Sequence, residues 1–265
     1  MKTLLSFDPA HTEICIREAR TRIERYFDQN EEVVVNFSFG KDSLLLTLLC
    51  YEVALRRNEL HKLTLQTVEL DDFLMHDNAV KWNAYVKAQI PVKWVLFRPT
   101  LIVHPVVLVI GLGQYAPRRN YPRCPWKNIF KTRALMNKKS LLGLRADESA
   151  KRKRLIRDSD GAPDAPLHDV PEEAVWGYLE DGVEKIGIDF KRLTTFYATK
   201  RRDGCLFCPF NMEGYDHQWQ YELVERYRFF RDMLIKGNLL DRPMLRTKFL
   251  LPPPGSRSVF GTRTC

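Results

Sequence analysis

Ser38-Phe39-Gly40-Lys41-Asp42-Ser43 gathers a glycine, two hydroxyls, an ammonium and a carboxylate into six consecutive residues. The run follows Val33-Val34-Val35-Asn36-Phe37, a β-branched stretch of the kind expected of a strand buried on both faces. It precedes Leu44 to Ala54, which has the length and composition of a helix. A loop that ends a strand and opens a helix presents backbone N–H groups at the positive end of that helix, so this order of elements builds a phosphate cradle. Separate tasks follow from the residue types. Lys41 neutralises phosphate charge, Gly40 lets the backbone come close, Ser38 and Ser43 offer hydroxyl donors, and Asp42 is a candidate Mg²⁺ ligand, direct or through water. The run is neither a Walker P-loop nor the GxGxxG of dinucleotide folds. An ordinary strand-to-helix turn is the alternative.

Three other groups carry chemistry. Asp71 and Asp72 follow a second expected strand, Leu63 to Glu69, and would stand on the carboxyl edge of the sheet, where α/β proteins bind ligands; a solvated turn accounts for them equally well. Arg145, Glu148 and Arg152 follow a further expected strand, Lys139 to Gly143. The two arginines suit phosphates or an acidic substrate, with Glu148 orienting them, and surface ion pairs at a helix start are the alternative. Cys205 and Cys208 form a C-x-x-C, with Cys124 far upstream. Three thiolates suit an iron–sulfur cluster with one open iron able to carry sulfide, or zinc completed by a histidine such as His217. A reduced, metal-free pair is the third reading.

The elements that must position these groups show as alternating patterns. Asp8-Pro9 and the rhythm of Ile14, Ala19, Ile23, Tyr26 and Phe27 predict a capped, amphipathic first helix. A helix over Asp77 to Ala88 and an apolar segment at Val92 to Phe97 continue the alternation, which predicts an α/β fold with a mostly parallel sheet flanked by helices. Turn residues from Asp158 to Pro166 read as a linker. The chain therefore divides into an α/β domain over 1–157 and a smaller helical C-terminal region over 158–265. That region has helical signals at Pro171 to Asp181 and His217 to Ile235 and ends in an extended tail. Cys15 and Cys50 lie among apolar neighbours and read as core packing. Trp94, Trp126, Trp176 and Trp219 read as core or groove walls.

The net charge is +9, and eight Lys or Arg lie between Lys138 and Arg157 against Asp147 and Glu148. Such an excess fits a polyanionic partner, nucleotide or nucleic acid, or else a solvated basic face. The longest apolar stretch, Leu101 to Leu112, contains His104 and Pro105 and is too short to span a bilayer. The first residues leave no room for the apolar core of a secretory signal. A cytoplasmic protein without membrane partners is expected, its cysteines serving as thiols or ligands and not as a disulfide framework.

The loop at Ser38 to Ser43 resembles the SGGKDS motif of the PP-loop ATP pyrophosphatases, with Phe39 where that motif has Gly. Gly143-Leu144-Arg145-Ala146-Asp147-Glu148-Ser149-Ala150-Lys151-Arg152 is similar to the G-x-R-x-x-E-S-x-x-R segment of the phosphoadenylyl-sulfate (PAPS) reductase family, and Gly204-Cys205-Leu206-Phe207-Cys208-Pro209 to its late G-C-x-x-C block. Arg123-Cys124 with Phe130-Lys131-Thr132-Arg133-Ala134-Leu135 resembles the family's W-C-x-x-x-L-K-x-K-P-L segment, with about two more residues between Cys and Lys. The resemblance spans Glu31 to Pro209. The E-C-G-L-H block that carries the reacting cysteine of PAPS reductases proper is missing, and the chain ends Gly261-Thr262-Arg263-Thr264-Cys265.

The resemblance implies an adenine-nucleotide α-hydrolase-like, Rossmann-like fold and an ATP pyrophosphatase that adenylates a substrate oxygen so that sulfur can displace AMP. Its site would hold ATP on residues 38–43 with Asp71, Arg145, Glu148 and Arg152. Mg²⁺ would sit on Asp42, and a 4Fe–4S cluster or zinc on Cys124, Cys205 and Cys208. Among relatives the pattern looks most like the sulfur-transfer component of DNA phosphorothioation systems, which works with a cysteine desulfurase as sulfur donor and acts on a DNA backbone phosphate. A PAPS or adenylyl-sulfate reductase and a tRNA thiolation enzyme are the enzymatic alternatives. A nucleotide-sensing or nucleic-acid-binding module with a degenerate loop is the non-enzymatic one.

Overall fold

The computed structural model describes residues 9–68, 75, 77–97, 139–150, 152–154 and 164–198. By internal contacts the chain divides into two compact units, one formed by residues 1–69, 78–98 and 134–202 and the other by 70–77, 99–133 and 203–265. Apart from Met75 and Asp77, the described residues belong to the first unit, so segments on both sides of residue 157 contribute to it.

That unit is an α/β fold of Rossmann type. In chain order its main elements are α1 (Pro9–Gln29), β1 (Val33–Asn36), α2 (Lys41–Arg56), β2 (Leu63–Val68), α3 (Asp77–Gln89), β3 (Lys93–Phe97), β4 (Leu141–Leu142), α4 (Glu172–Gly182) and α5 (Phe190–Ala198). The four strands form one parallel sheet in the order β3-β2-β1-β4. Parallel neighbours need crossovers, and α2 and α3 supply those between β1, β2 and β3. The expected strand at Lys139 to Gly143 shortens to Leu141–Leu142, paired with Val35 and Asn36.

Strand alternation divides the sheet. Val33, Val35, Leu63, Leu65 and Leu141 point into one apolar core, while Val34, Asn36, Thr64 and Gln66 occupy the other face. On that second face Gln66 donates to Asn36 Oδ1 and Asn36 donates to Ser140 Oγ, a polar ladder across β2, β1 and the residue before β4. The core is closed by α2, which packs against α1, α4, β1 and β2. Its run Leu44, Leu45, Leu46, Leu48, Leu49, Cys50 is fully buried, which accounts for a helix apolar nearly all round. Each such leucine contributes about 1.5–3 kcal/mol relative to an exposed one. The core packing expected of Cys15 and Cys50 is what the structure has, and burial pushes both thiols up, Cys50 far above the ordinary value. Among the described residues no helix is long and apolar enough to cross a membrane.

α4 and the turn after it are tied to the α/β core by a polar cluster. Glu52 on α2 accepts from Arg20 of α1 at 2.9 Å, Tyr178 of α4 at 2.6 Å and Lys185 at 2.7 Å. Burial would raise the Glu52 carboxyl, but the hydrogen bonds from Lys185, Tyr178 and Arg20 outweigh it and hold the group below its ordinary value. Arg22 does the same for Asp169 with two contacts of 2.6 Å. Burial again opposes, and the hydrogen bond and charge of Arg22 prevail to lower that carboxyl.

Candidate functional site

The strand order places β1 between β2 and β4, so the crossover from β1 runs to β2 on one side while β4, which follows β3 in the chain, pairs on the other. A parallel sheet opens a crevice at such a switch point, beyond the carboxyl ends of the strands. The loop 38–43 leaves β1 there, and Gly143-Leu144-Arg145 leaves β4 beside it.

Phe39 has φ +61°, the left-handed conformation that glycine adopts without cost and that a bulky residue reaches only at about 1–2 kcal/mol. The backbone conformation is thus one suited to the glycine of the motif, carried by a phenylalanine. Its ring is buried and packs edge-on to Phe37, with centroids 5.1 Å apart, and stacked with Trp94 at 6.0 Å. Its carbonyl accepts from Trp82 Nε1 at 2.9 Å. The side chain is therefore drawn into an aromatic cluster at the edge of the core, and Trp82 fixes the peptide that follows.

Ser43 latches the loop. Its hydroxyl donates to the Gly40 carbonyl at 2.8 Å and accepts from the Ser38 N–H at 3.2 Å, with the Ser38 hydroxyl also 3.2 Å away. Ser43 is buried and Ser38 exposed. Lys41, the first residue of α2, is 8% exposed, and its Nζ lies 3.1 and 3.2 Å from the two Asp42 oxygens and 3.6 Å from Glu172. Its backbone N–H donates to the Tyr197 hydroxyl of α5.

Arg145 is 1% exposed, the largest fully buried side chain described. Its Nε lies 2.6 Å from Asp42 Oδ1, off the line a hydrogen bond requires, so the contact is an ion pair. Nη1 donates to Asp147 at 2.7 Å and Nη2 lies 3.8 Å from Glu172. Gly143 makes this approach feasible, because a Cβ there would come within 3.0 Å of the Asp42 carbonyl carbon and oxygen. Glu148 accepts from the Arg145 backbone N–H at 3.2 Å and pairs with the half-exposed Arg152.

The fold thus brings Ser38 to Ser43 together with Arg145, and through Arg145 with Glu148 and Arg152. Asp71, Asp72, Cys124, Cys205, Cys208 and His217 lie outside the described residues. Glu172 and Tyr197 join the site without having been expected there. Their side chains arrive from α4 and α5 by long-range packing, and the only local hint is the acidic pair Glu172-Glu173 opening a helix. Asp147 and Trp82 are likewise additions.

The arrangement holds two buried cations beside the N-terminus of α2. Both are neutralised by carboxylates, and Asp42 serves both. With its oxygens so engaged, Asp42 would have to give up these contacts to ligate a metal. Among the described residues no group of three or more His, Cys, Asp or Glu could hold one. Comparison with protein families, curated proteins and solved structures found no match.

Proposed function

We propose that the chain is a PP-loop ATP pyrophosphatase of the PAPS reductase type, which binds ATP as its magnesium complex at residues 38–43 and Arg145. The observation that carries this reading is the meeting of Lys41 and Arg145, two buried cations from adjacent strand ends, around the shared carboxylate of Asp42. Asp42 and Asp147 pair these cations and hold them in place, and both lie where a Rossmann-type sheet binds ligands.

In the proposed reaction a substrate oxygen attacks the α-phosphorus, the bond from that phosphorus to the bridging oxygen breaks, and pyrophosphate leaves with the electron pair. Lys41 and Arg145 stabilise the negative charge that collects on the departing group. They are preorganised by Asp42 and Asp147 and so need no rearrangement at the moment of reaction. The backbone N–H groups at the start of α2 point to the same charge. Asp42 acts as a positioning residue, and magnesium arrives with the nucleotide. A sulfur nucleophile then attacks the adenylated centre and displaces AMP. The sulfur would come from a cysteine desulfurase as a persulfide on one of Cys124, Cys205 and Cys208, assigned on the sequence resemblance. Once the terminal sulfur has displaced AMP, a second of these thiols breaks the S–S bond, leaving sulfur on the acceptor and a disulfide that an external thiol reduces.

The acceptor we propose is a backbone phosphate of DNA, for which the net charge of +9 and the resemblance to phosphorothioation components are the support. The test is to incubate the protein with magnesium, ATP, and a cysteine desulfurase with cysteine and a reducing thiol, with DNA, with tRNA and with neither, then to identify products by phosphorus NMR and nucleosides by mass spectrometry. AMP and pyrophosphate formed with DNA are expected. ADP and phosphate would contradict the chemistry, and thiolated nucleosides from tRNA alone would move the assignment to RNA.

A further inference from the structure

We infer that Glu172 and Tyr197 stand in for phosphate oxygens when the loop is empty and are displaced when a diphosphate or triphosphate enters, so that they set the affinity of the site. The inference rests on the reading of residues 38–43 as a phosphate site.

The carboxylates around the two cations fall into two kinds. Asp42 and Asp147 make close contacts with Arg145, at 2.6 and 2.7 Å, and Asp42 is also 3.1 Å from Lys41. Glu172 is different. Its oxygens reach both cations at the longer distances of 3.6 Å to Lys41 and 3.8 Å to Arg145, and its side chain is 54% exposed. A carboxylate that spans two buried cations loosely from the solvent side marks the place where an anion can touch both. A phosphate group offers more oxygens and more charge there, and can make shorter, charge-assisted hydrogen bonds.

Tyr197 repeats the pattern on the backbone. Its hydroxyl accepts from the Lys41 N–H, one of the first-turn amides that a helix offers to anions. A Cβ on Gly40 would come 3.2 Å from that hydroxyl, so the oxygen rests against the glycine as a ligand oxygen would. The ring is held edge-on to Trp176 of α4, with centroids 5.0 Å apart, so α4 and α5 deliver their two acceptors side by side. Without a ligand, Glu172 adds to the compensation of Lys41 and Arg145 and Tyr197 satisfies the Lys41 amide, at the expense of competing with a ligand.

Pyrophosphate titrated calorimetrically into the 265-residue chain tests this. Glu172→Gln, which removes the competing charge at an exposed position, is expected to bind pyrophosphate about 2–5-fold more tightly than the wild type. Tyr197→Phe, which keeps the ring packing, is expected to bind about 2–5-fold more tightly. Glu173→Gln raises the net charge equally, and Glu173 makes no ion pair with either cation among the described residues, so a change below about 2-fold is expected. Unchanged or weaker binding by Glu172→Gln, or an equal gain in Glu173→Gln, would overturn the inference while wild-type binding left the loop assignment standing. No binding by any of these proteins would remove the loop assignment and the inference with it.

Discussion

Asp42 and Arg145 meet across the join between β1 and β4, the Oδ1 of one lying 2.6 Å from the Nε of the other. The pairing of Val35 with Leu141 sets the two strand ends side by side, and Gly143 lets the second chain segment pass against the backbone of the first. Arg145 is buried, so removing its partner leaves a charge poorly compensated. Asp42→Ala is expected to lower stability by about 1–3 kcal/mol in urea unfolding. With Arg145→Met as the second substitution, the double variant should lose less than the sum of the single ones. Strict additivity would show that the two side chains do not interact.

Gly143→Ala places a methyl group 3.0 Å from the Asp42 carbonyl, backbone against which little can yield. The start of α2 must shift, and with it Lys41. A drop of at least about 10-fold in ATP turnover is expected, since small displacements of a positioned group cost that much or more. Activity equal to the wild type would mean that the approach of these segments does not matter to the site.

Phe39→Gly sets two effects against each other. Glycine relieves the left-handed strain, about 1–2 kcal/mol, but the buried ring between Phe37 and Trp94 is lost, and deletions of buried phenylalanine cost about 3–5 kcal/mol. Net destabilisation of about 1–4 kcal/mol is expected, together with pyrophosphate affinity within a few-fold of the wild type, because the loop backbone keeps its conformation. A variant more stable than the wild type would show that the ring contributes little.

Much of the fold is legible in the sequence because its signals are local. The β-branched run before Ser38 and the apolar run after Ser43 define β1 and α2 on their own, and the expected helix from Asp77 and strand ending at Phe97 match α3 and β3 closely. β4 is the weakest of these, with only Leu141 and Leu142 on the ladder, and Ser140 just before it meets β1 through its side chain, its hydroxyl accepting from Asn36. In the site, the loop and Arg145 are legible through their motifs, whereas Glu172 and Tyr197 are not. Nothing near Glu172 in the chain distinguishes it from a solvated helix start, and Tyr197 is defined by the aromatic packing of Trp176 and Phe196.

Acid should weaken the attachment of α4. Glu52 and Asp169 both have carboxyls below their ordinary values of 4.5 and 3.8. Their contribution is therefore full above those values and is lost as pH falls through the lowered ones. Glu52→Gln is expected to be less stable than the wild type by about 0.5–2 kcal/mol at pH 7, with the difference narrowing below about pH 4. A difference that stays constant with pH would show that the ionised carboxylate is not what ties Arg20, Tyr178 and Lys185 together.

The most direct measurement is a crystal structure of the protein with magnesium and an ATP analogue that cannot be cleaved between the α and β phosphates. The β and γ phosphates are expected on the first amides of α2, in contact with Lys41 Nζ and Arg145, with Glu172 and Tyr197 moved aside. An analogue bound elsewhere, with residues 38–43 and Arg145 contacting no phosphate, would contradict the account.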